Sequence, residues 1–553
     1  MNQVEIKRKQ IQFFSYCLAG INVWVFGKQL GNNGLAYLAA AFLVFLFFWI
    51  LTGKNVPDRL GRLLRSRSAK GQYKNVSKMR RNMMIFQIAA GLVGAVLCAA
   101  CGYFVLEKAF RIPYGSMILW ILCPALILRC MQSVLLGIFQ SEGSEMPSAV
   151  SAILRQVFYF GLGLLFLGIF RTYGEKVSLL LKKDDFTAMY GAMGVALGIV
   201  ISEVLVLIFV FVIYQGSASG RREAEIGMKG TDTFFSQVWV LLFSMGGDII
   251  GDLLLYLPLW TGLVLFEKNA SDIYAAADSY GVFIGRYLDT MLLVVVLLCM
   301  GILPGVAKAG AHIRKKEERY AQNAIQSGIQ GVFLHGMFFT VWLAVLAVPL
   351  AQTIDNSVGI LLGEMFTTGS SVVLWALLLF YCSQILKLSG KNHLVLLGYG
   401  VMDLVFVITS TILFRMENAG ILSIVLGSVI GMAAGAVCLC VILCLQRKTR
   451  PDALRGLAIP AGCCCACGLL AFGLEKLLFS HVGAVVTVIS ELIITLLLYW
   501  FLLLLLRCLR GQDFQYIPGG RLMRMLGKMF RLENLRQMYI IPKITDTDTK
   551  NEH

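Results

Sequence analysis

Charged side chains stand inside long apolar stretches of this 553-residue chain. They fall into two groups. Arg129, Arg155 and Glu203 lie in the stretches 113–140, 147–170 and 188–214. Asp248, Asp252, Asp278, Asp289 and Asp403 lie further along, with Arg286 among them. A charge at the centre of a bilayer costs on the order of 3 kcal/mol on insertion scales, so a group kept there is a functional candidate. At 1.5 Å of rise per residue, Arg129 lies roughly 16 Å and Arg155 roughly 12 Å from the inner ends of their helices. Two guanidinium groups at comparable depth, with Glu203 beside them, suit a substrate head group such as a pyrophosphate, which Arg binds bidentately. The other reading is structural: Glu203 neutralises one arginine and ties helices together.

Asp248 and Asp252 are four residues apart, on one face of a helix. By the same rise Asp248 lies roughly 22 Å and Asp403 roughly 18 Å from the inner side. Carboxylates from two helices at one depth can hold Na⁺ or share a proton, so these three are the candidates for a coupling-ion site. Arg286 and Asp289, three apart, read as a structural ion pair within one helix. Cys463, Cys464, Cys465 and Cys467 point around their helix rather than at one centre, which reads as packing and not as a metal site. Beyond Na⁺ or H⁺, no cofactor is expected. The chain has no Gly-x-x-x-x-Gly-Lys-Ser/Thr, no Gly-x-Gly-x-x-Gly before a helix and no His-Glu-x-x-His.

The elements that position these groups are membrane helices. Hydrophobic residues make up 58% of the chain and charged ones 15%. A soluble domain has about 25% charged residues, so a soluble enzyme and a disordered chain are excluded. A helix needs roughly 20 apolar residues to cross a bilayer. Fourteen segments qualify: 11–27, 34–52, 83–105, 113–140, 147–170, 188–214, 233–266, 271–304, 324–350, 369–389, 393–414, 419–445, 456–479 and 482–506. With the N-terminus inside, 36 of the 49 Lys and Arg fall in inner loops, 10 in outer loops and three within spans. That split follows the positive-inside rule with both termini cytoplasmic. The net charge of +17 therefore reads as topology, not as a nucleic-acid surface. No small-x-small cleavage site follows the first apolar run, so it is read as a retained span.

Two pieces lie outside the membrane, 53–82 and 507–553. Neither is long enough for a nucleotide-binding domain, which disfavours ATP-driven transport by this chain alone. The 521–543 stretch sets Leu522, Met525, Leu526, Met529, Phe530, Leu532 and Leu535 among Arg521, Arg524, Lys528, Arg531 and Arg536. It reads as an amphipathic helix on anionic lipids of the inner leaflet. An internal repeat is also visible. Gly191, Leu197, Gly198, Val200 and Ile201 superpose on Gly420, Leu426, Gly427, Val429 and Ile430. It divides the chain into a six-helix bundle over 1–214, a linker at 215–232, a second six-helix bundle over 233–445, two extra helices over 446–506 and a basic tail over 507–553. Repeated halves place a substrate near the midplane between them, with access alternating by rocking. Gly427, Gly431 and Gly435 form a ladder read as close helix packing.

Phe26-Gly27-Lys28-Gln29-Leu30-Gly31-Asn32-Asn33-Gly34 resembles the turn after the first helix of the multidrug/oligosaccharidyl-lipid/polysaccharide exporter superfamily. The basic stretch Arg62–Met79, the run Leu135–Phe158 and the glycine pattern from Gly191 to Glu203 are similar to other parts of that superfamily. Fourteen spans resemble its polysaccharide, sporulation-associated and lipid II flippase branches. The resemblance implies an all-α polytopic membrane protein and transport of a lipid-linked saccharide by alternating access. It also implies a sodium site on the seventh and eleventh helices, here Asp248 or Asp252 with Asp403, and a groove for the lipid tail beside 456–506. Such a protein makes and breaks no covalent bond, so no enzyme is expected, and it is expected to work as a monomer. The alternatives are a cation-coupled multidrug antiporter of the same superfamily, a non-transporting membrane assembly or scaffold protein, and a membrane-embedded glycosyl- or acyltransferase. His312, His335, His393 and His481 form no catalytic constellation for the last of these.

Overall fold

The computed structural model describes residues 3–112, 114–183, 185–217, 232–269, 273–416, 420–449, 452–509 and 513–529. Every regular element among them is helical. The chain opens with α1 (Gln3–Thr52), α2 (Val56–Ala69), α3 (Tyr73–Tyr103), α4 (Gly115–Ser141), α5 (Met146–Leu181) and α6 (Asp185–Gly216). It continues with α7 (Phe234–Asn269), α8 (Ile273–Val282), α9 (Asp289–Arg314), α10 (Glu318–Val345), α11 (Ala347–Ile354), α12 (Gly359–Gly369) and α13 (Val372–Leu388). Then come α14 (Asn392–Phe414), α15 (Leu422–Arg447), α16 (Ile459–Val482), α17 (Ala484–Leu505) and the short α18 (Gly520–Met529).

Twelve helical stretches among the described residues are long and apolar enough to cross a bilayer, or thirteen when Asn356–Gly369 and Val372–Leu388, bent by 47°, count as one span. The first of them, Ile6–Ala69, is 64 residues long. Arg8 Nη1 nevertheless lies 3.2 Å from Asp58 Oδ1, whereas a straight helix would hold the two residues roughly 75 Å apart. The chain therefore doubles back. It does so at Gly31, whose φ of 70° and ψ of 177° break the helix in a region open to glycine. With this hairpin read as two spans, each of the fourteen apolar segments has a helical counterpart. The chain is an all-α polytopic membrane protein.

Contacts sort the helices into two compact units. The first comprises residues up to Leu297 together with Lys391–Cys438, and the second Leu298–Gly390 with the residues from Leu439 onward. In the first unit α1 packs on α3, α4, α5 and α6, α5 lies along α6, and α7 lies along α14. The amphipathic α2 shows how sequence sets this packing. Val56, Leu60 and Leu64 recur every fourth residue and form one stripe. They bury against Met79, Met83, Ile138, Leu241 and Met245, and the arginines take the remaining faces. The glycine ladder packs closely, as read. A Cβ on Gly431 would stand 2.9 Å from the Met402 carbonyl oxygen, and one on Gly435 3.0 Å from that of Gly398.

In the second unit α10 packs on α13 and α16, α16 on α17, and α17 on α11. The segment after α17 folds back onto these helices. Lys308 Nζ donates to the Gln515 carbonyl at 3.0 Å. Ser327 Oγ donates to Asp513 Oδ1 at 2.5 Å, and Gln330 Nε2 donates to the Cys508 carbonyl at 3.1 Å. Pro518 and Ile517 sit against Gly301 and Gly331. The amphipathic helix read over 521–543 is described as far as Met529. Met523 and Gly527 face inward, while Leu522, Met525 and Met529 are exposed. The remainder of that stretch and residues 218–231 of the linker lie outside the described residues.

Candidate functional site

The three charged residues of the first group come together in the first unit. Arg129 and Gln132 lie one turn apart on α4, Arg155 and Tyr159 one turn apart on α5, and Glu203 on α6 faces both pairs. Arg129 Nε donates to Glu203 Oε1 at 2.7 Å, and its Nη2 donates to Tyr159 Oη at 2.6 Å. Tyr159 Oη in turn donates to Glu203. Arg155 Nε lies 3.2 Å from Glu203, and its Nη2 donates to Gln132 Oε1 at 2.6 Å. Gln132 Nε2 returns to Glu203 Oε2 at 3.0 Å. The Arg129 guanidinium also lies over the rings of Phe45 and Trp49, at 5.0 and 5.6 Å from their centroids.

Glu203 thus ties α4, α5 and α6 together through the two arginines. Two cations share one anion, so the group carries a net single positive charge. Its members differ in exposure. The Glu203 side chain is 0% exposed, that of Arg129 10% and that of Arg155 22%. Arg129, Glu203, Tyr159 and Gln132 form a buried platform, and Arg155 is the arm that reaches open space.

That space is polar. Tyr16 of α1 is 56% exposed, although Lys54, Arg155, Asp252 and Tyr256 all lie within electrostatic reach of its hydroxyl. Lys54 Nζ stands 4.6 Å from the centroid of the Tyr256 ring and 3.1 Å from Asp252 Oδ1. Asn55 Nδ2 donates to Asp252 Oδ2 at 2.8 Å. Sequence reasoning missed Lys54, because a cation just past an apolar stretch is indistinguishable from a topological one. It also missed Tyr16 and Tyr159, since aromatic residues in spans carry no spacing signal.

The acids of the second group have different partners. Asp248 Oδ2 accepts from Arg59 Nε at 2.5 Å, and Asp252 is held by Lys54 and Asn55. Asp403 of α14 is 6% exposed, and neither of its oxygens has a hydrogen-bond partner. Arg286 and Asp289, read as an ion pair, stand within electrostatic reach of each other. The helix makes a π-helical turn at Phe283–Leu288, and Arg286 Nη1 donates to the Trp24 carbonyl of α1 at 3.3 Å. Asp289 faces the same helix, where a Cβ on Gly20 would stand 3.1 Å from its Oδ1.

No family model matches the chain. It is 22% identical to the stage V sporulation protein B of Bacillus subtilis over 521 residues, which span 91% of this chain and 94% of that protein. Among solved structures, the lipid II flippase MurJ in its inward closed conformation superposes with a TM-score of 0.62 at 12% identity. That match covers 90% of this chain and 98% of the other. The inward-facing form of a multidrug resistance MATE family transporter of the MOP superfamily superposes with a TM-score of 0.59 at 14% identity, over 81% and 98%. The chain therefore has the fold of MOP-superfamily transporters, and the resemblance read from its motifs extends over most of its length.

Proposed function

We propose that the chain is a flippase that moves a lipid-linked saccharide from the inner to the outer leaflet of a bacterial-type plasma membrane. The named relatives supply the class: one is called a lipid II flippase and another a multidrug transporter. The observation that carries the substrate chemistry is the net positive cluster on Glu203, with Arg155 and Lys54 both within electrostatic reach of Tyr16. A guanidinium and an ammonium facing one polar space form an anion site, which suits the diphosphate of a polyprenyl carrier better than an organic cation. Arg155 binds the head group. Lys54 is released from Asp252 as the head group arrives, so one carboxylate is exchanged for a phosphate. The saccharide lies in the polar space, and the lipid chain stays in the bilayer.

The coupling ion in this reading is Na⁺ or H⁺ at Asp403. Asp248 and Asp252 already have cationic partners and serve a different purpose, as ties between α7 and the region of α2. Transport of this kind makes no covalent bond and needs no catalytic group. Both termini face the cytoplasm, by the loop charge count. The two halves of the repeat rock about the polar space, and the exposed apolar and basic residues of α18 rest on anionic lipid.

The test is a depletion strain in which this chain is the sole copy, with lipid-linked intermediates identified by mass spectrometry. Depletion should cause one glycolipid to accumulate. Arg155→Gln should reproduce that accumulation at wild-type protein levels. If no glycolipid builds up on depletion, or if Arg155→Gln restores normal levels, the flippase reading fails.

A further inference from the structure

The second unit carries a buried acid that the proposed function does not use. Glu491 sits in α17, a helix whose other residues are almost all apolar. The exceptions on its inner face recur every fourth residue: Thr487, Glu491, Thr495 and Tyr499, each at most 1% exposed. α17 packs on α16, α11, α18 and, to a lesser extent, α10. Neither oxygen of Glu491 has a hydrogen-bond partner. A fully buried carboxylate without a donor is costly as an anion in any membrane protein, and so marks a functional position.

Its neighbours define what can bind. Glu475 of α16 is the charged group within electrostatic reach. The α16–α17 hairpin turns at Gly483, with φ of 86°, and Glu475 and Glu491 lie equally far from that turn, each roughly 12 Å along its helix. Lys476, next to Glu475, stands 4.6 Å from the centroid of the Phe472 ring and within electrostatic reach of Glu475. Thr487 Oγ1 donates to the Gly483 carbonyl at 2.8 Å, and Thr495 Oγ1 donates to the Glu491 carbonyl at 2.5 Å. Both hydroxyls are thus committed to the backbone. One turn from Glu491 lies a small cavity lined by Thr495, Trp342, Cys464, Cys467, Gly468 and Ala471. Trp342 Nε1, in a residue 8% exposed, has no partner there. Beyond the cavity Tyr499 Oη donates to the Leu334 carbonyl at 2.8 Å. Among the described residues, α11 contributes no titratable side chain, Tyr499 stands within electrostatic reach of Cys463, Cys464 and Cys508, and Cys467 lines the cavity.

We propose that Glu491, with Glu475 beside it, is a proton-binding site in the C-terminal helical hairpin. A hard metal cation needs a shell of oxygens, and these helices offer two carboxyl groups and little else. A proton needs only one oxygen. Glu475 is half-buried and exchanges protons with its surroundings, and Glu491 holds one in the interior beside the cavity. Only a proton moves, from Glu475 to Glu491 and back. The site uses neither Arg155 nor Asp403 and does not depend on the identity of the transported lipid.

The test uses the purified full-length protein in proteoliposomes, followed by infrared difference spectroscopy through a pH titration. The wild type should show a carboxylic-acid C=O band that is absent in Glu491→Gln, retained in Asp403→Asn and displaced in its titration by Glu475→Gln. Glu491→Asp, which keeps the acid, should keep a band and guards against misfolding of the Gln variant. Identical spectra for the wild type and Glu491→Gln would overturn the proposal. So would loss of the band on adding Na⁺ at constant pH, which would make this a sodium site. Accumulation of lipid intermediates plays no part in this readout, so it stands or falls apart from the flippase reading.

Discussion

Arg129 and Arg155 contact the same carboxylate but stand in different surroundings, and their variants should separate. Arg129 is the more deeply buried partner of Glu203, and truncating one partner of a buried pair costs about 3–5 kcal/mol because a charge is left alone. Arg129→Gln should therefore lower the thermal stability of the purified protein measurably. Arg155→Gln removes a partly exposed arm while Glu203 keeps Arg129, Tyr159 and Gln132, so its melting temperature should stay close to wild type while lipid intermediates accumulate. Equal destabilisation by both would mean that Arg155 is structural as well. Asp403 makes a complementary case. With no partner to lose, Asp403→Asn should leave the fold intact and abolish the dependence of transport on Na⁺ or pH. Unchanged dependence on both would exclude Asp403 as the coupling site.

Helices α2, α3 and α7 show how elements can hold or release one state of the protein. In the first unit α7 is tied to α2 and α3 by a polar row along their shared side. Arg59 bonds Asp248, Arg67 lies 2.9 Å from Asp232, Lys78 Nζ donates to the Asp232 carbonyl at 2.7 Å, and Asn82 Nδ2 donates to Gln237 Oε1 at 2.8 Å. Beneath it runs the apolar stripe of α2. A transporter must open such a seam, so Arg59→Asp should speed opening and Asp248→Arg added to it should restore the tie. The readout is disulfide trapping between cysteines placed at Leu64 and Leu241, which are both in the buried cluster of α2 and α7. Trapping should fall in the single variant and return in the double one; no change in either would show that the apolar stripe alone holds the seam. A second element-level outcome concerns Cys508, just past α17. Burial pushes its thiol up to about 11, and the thiolate is the form that reacts. In a background with the other cysteines replaced, Cys508 should label slowly at neutral pH and much faster when residues 513–529 are deleted. Equal labelling rates would mean that the returning segment does not protect it.

Across the whole molecule, the sequence was most legible where one element acts alone. Fourteen apolar segments, their lengths and the reversal at Gly31 follow from hydropathy and one glycine. That Arg129, Arg155 and Glu203 are candidates follows from the cost of burying charge. What cannot be read is which charges meet, because pairing joins residues far apart in sequence. Asp248 and Arg59 are separated by 189 positions, and nothing in either segment announces the other. Three acids at similar depth therefore read as one ion site, whereas in space two of them answer cations from the α1–α2 region. Lys54 was hidden because a cation at the end of an apolar stretch reads as topology. The buried stripe on α17 has a four-residue period that hydropathy averaging erases, since one polar residue per turn barely lowers the mean.

The seat of the segment after α17 bears on how the protein is made. Gln515 and Lys308 are 207 residues apart, so the ribosome builds the receiving helices long before it builds what covers them. At synthesis rates of about 5–20 residues per second, that interval lasts roughly 10 to 40 s. Throughout it, the small-residue faces at Gly301 and Gly331 lack their final covering. Completion of the second unit must therefore await synthesis of this segment, and quality-control proteases that sample unfinished membrane proteins have that long to act. A nonsense change late in the reading frame would accordingly reduce the amount of protein, not merely shorten it.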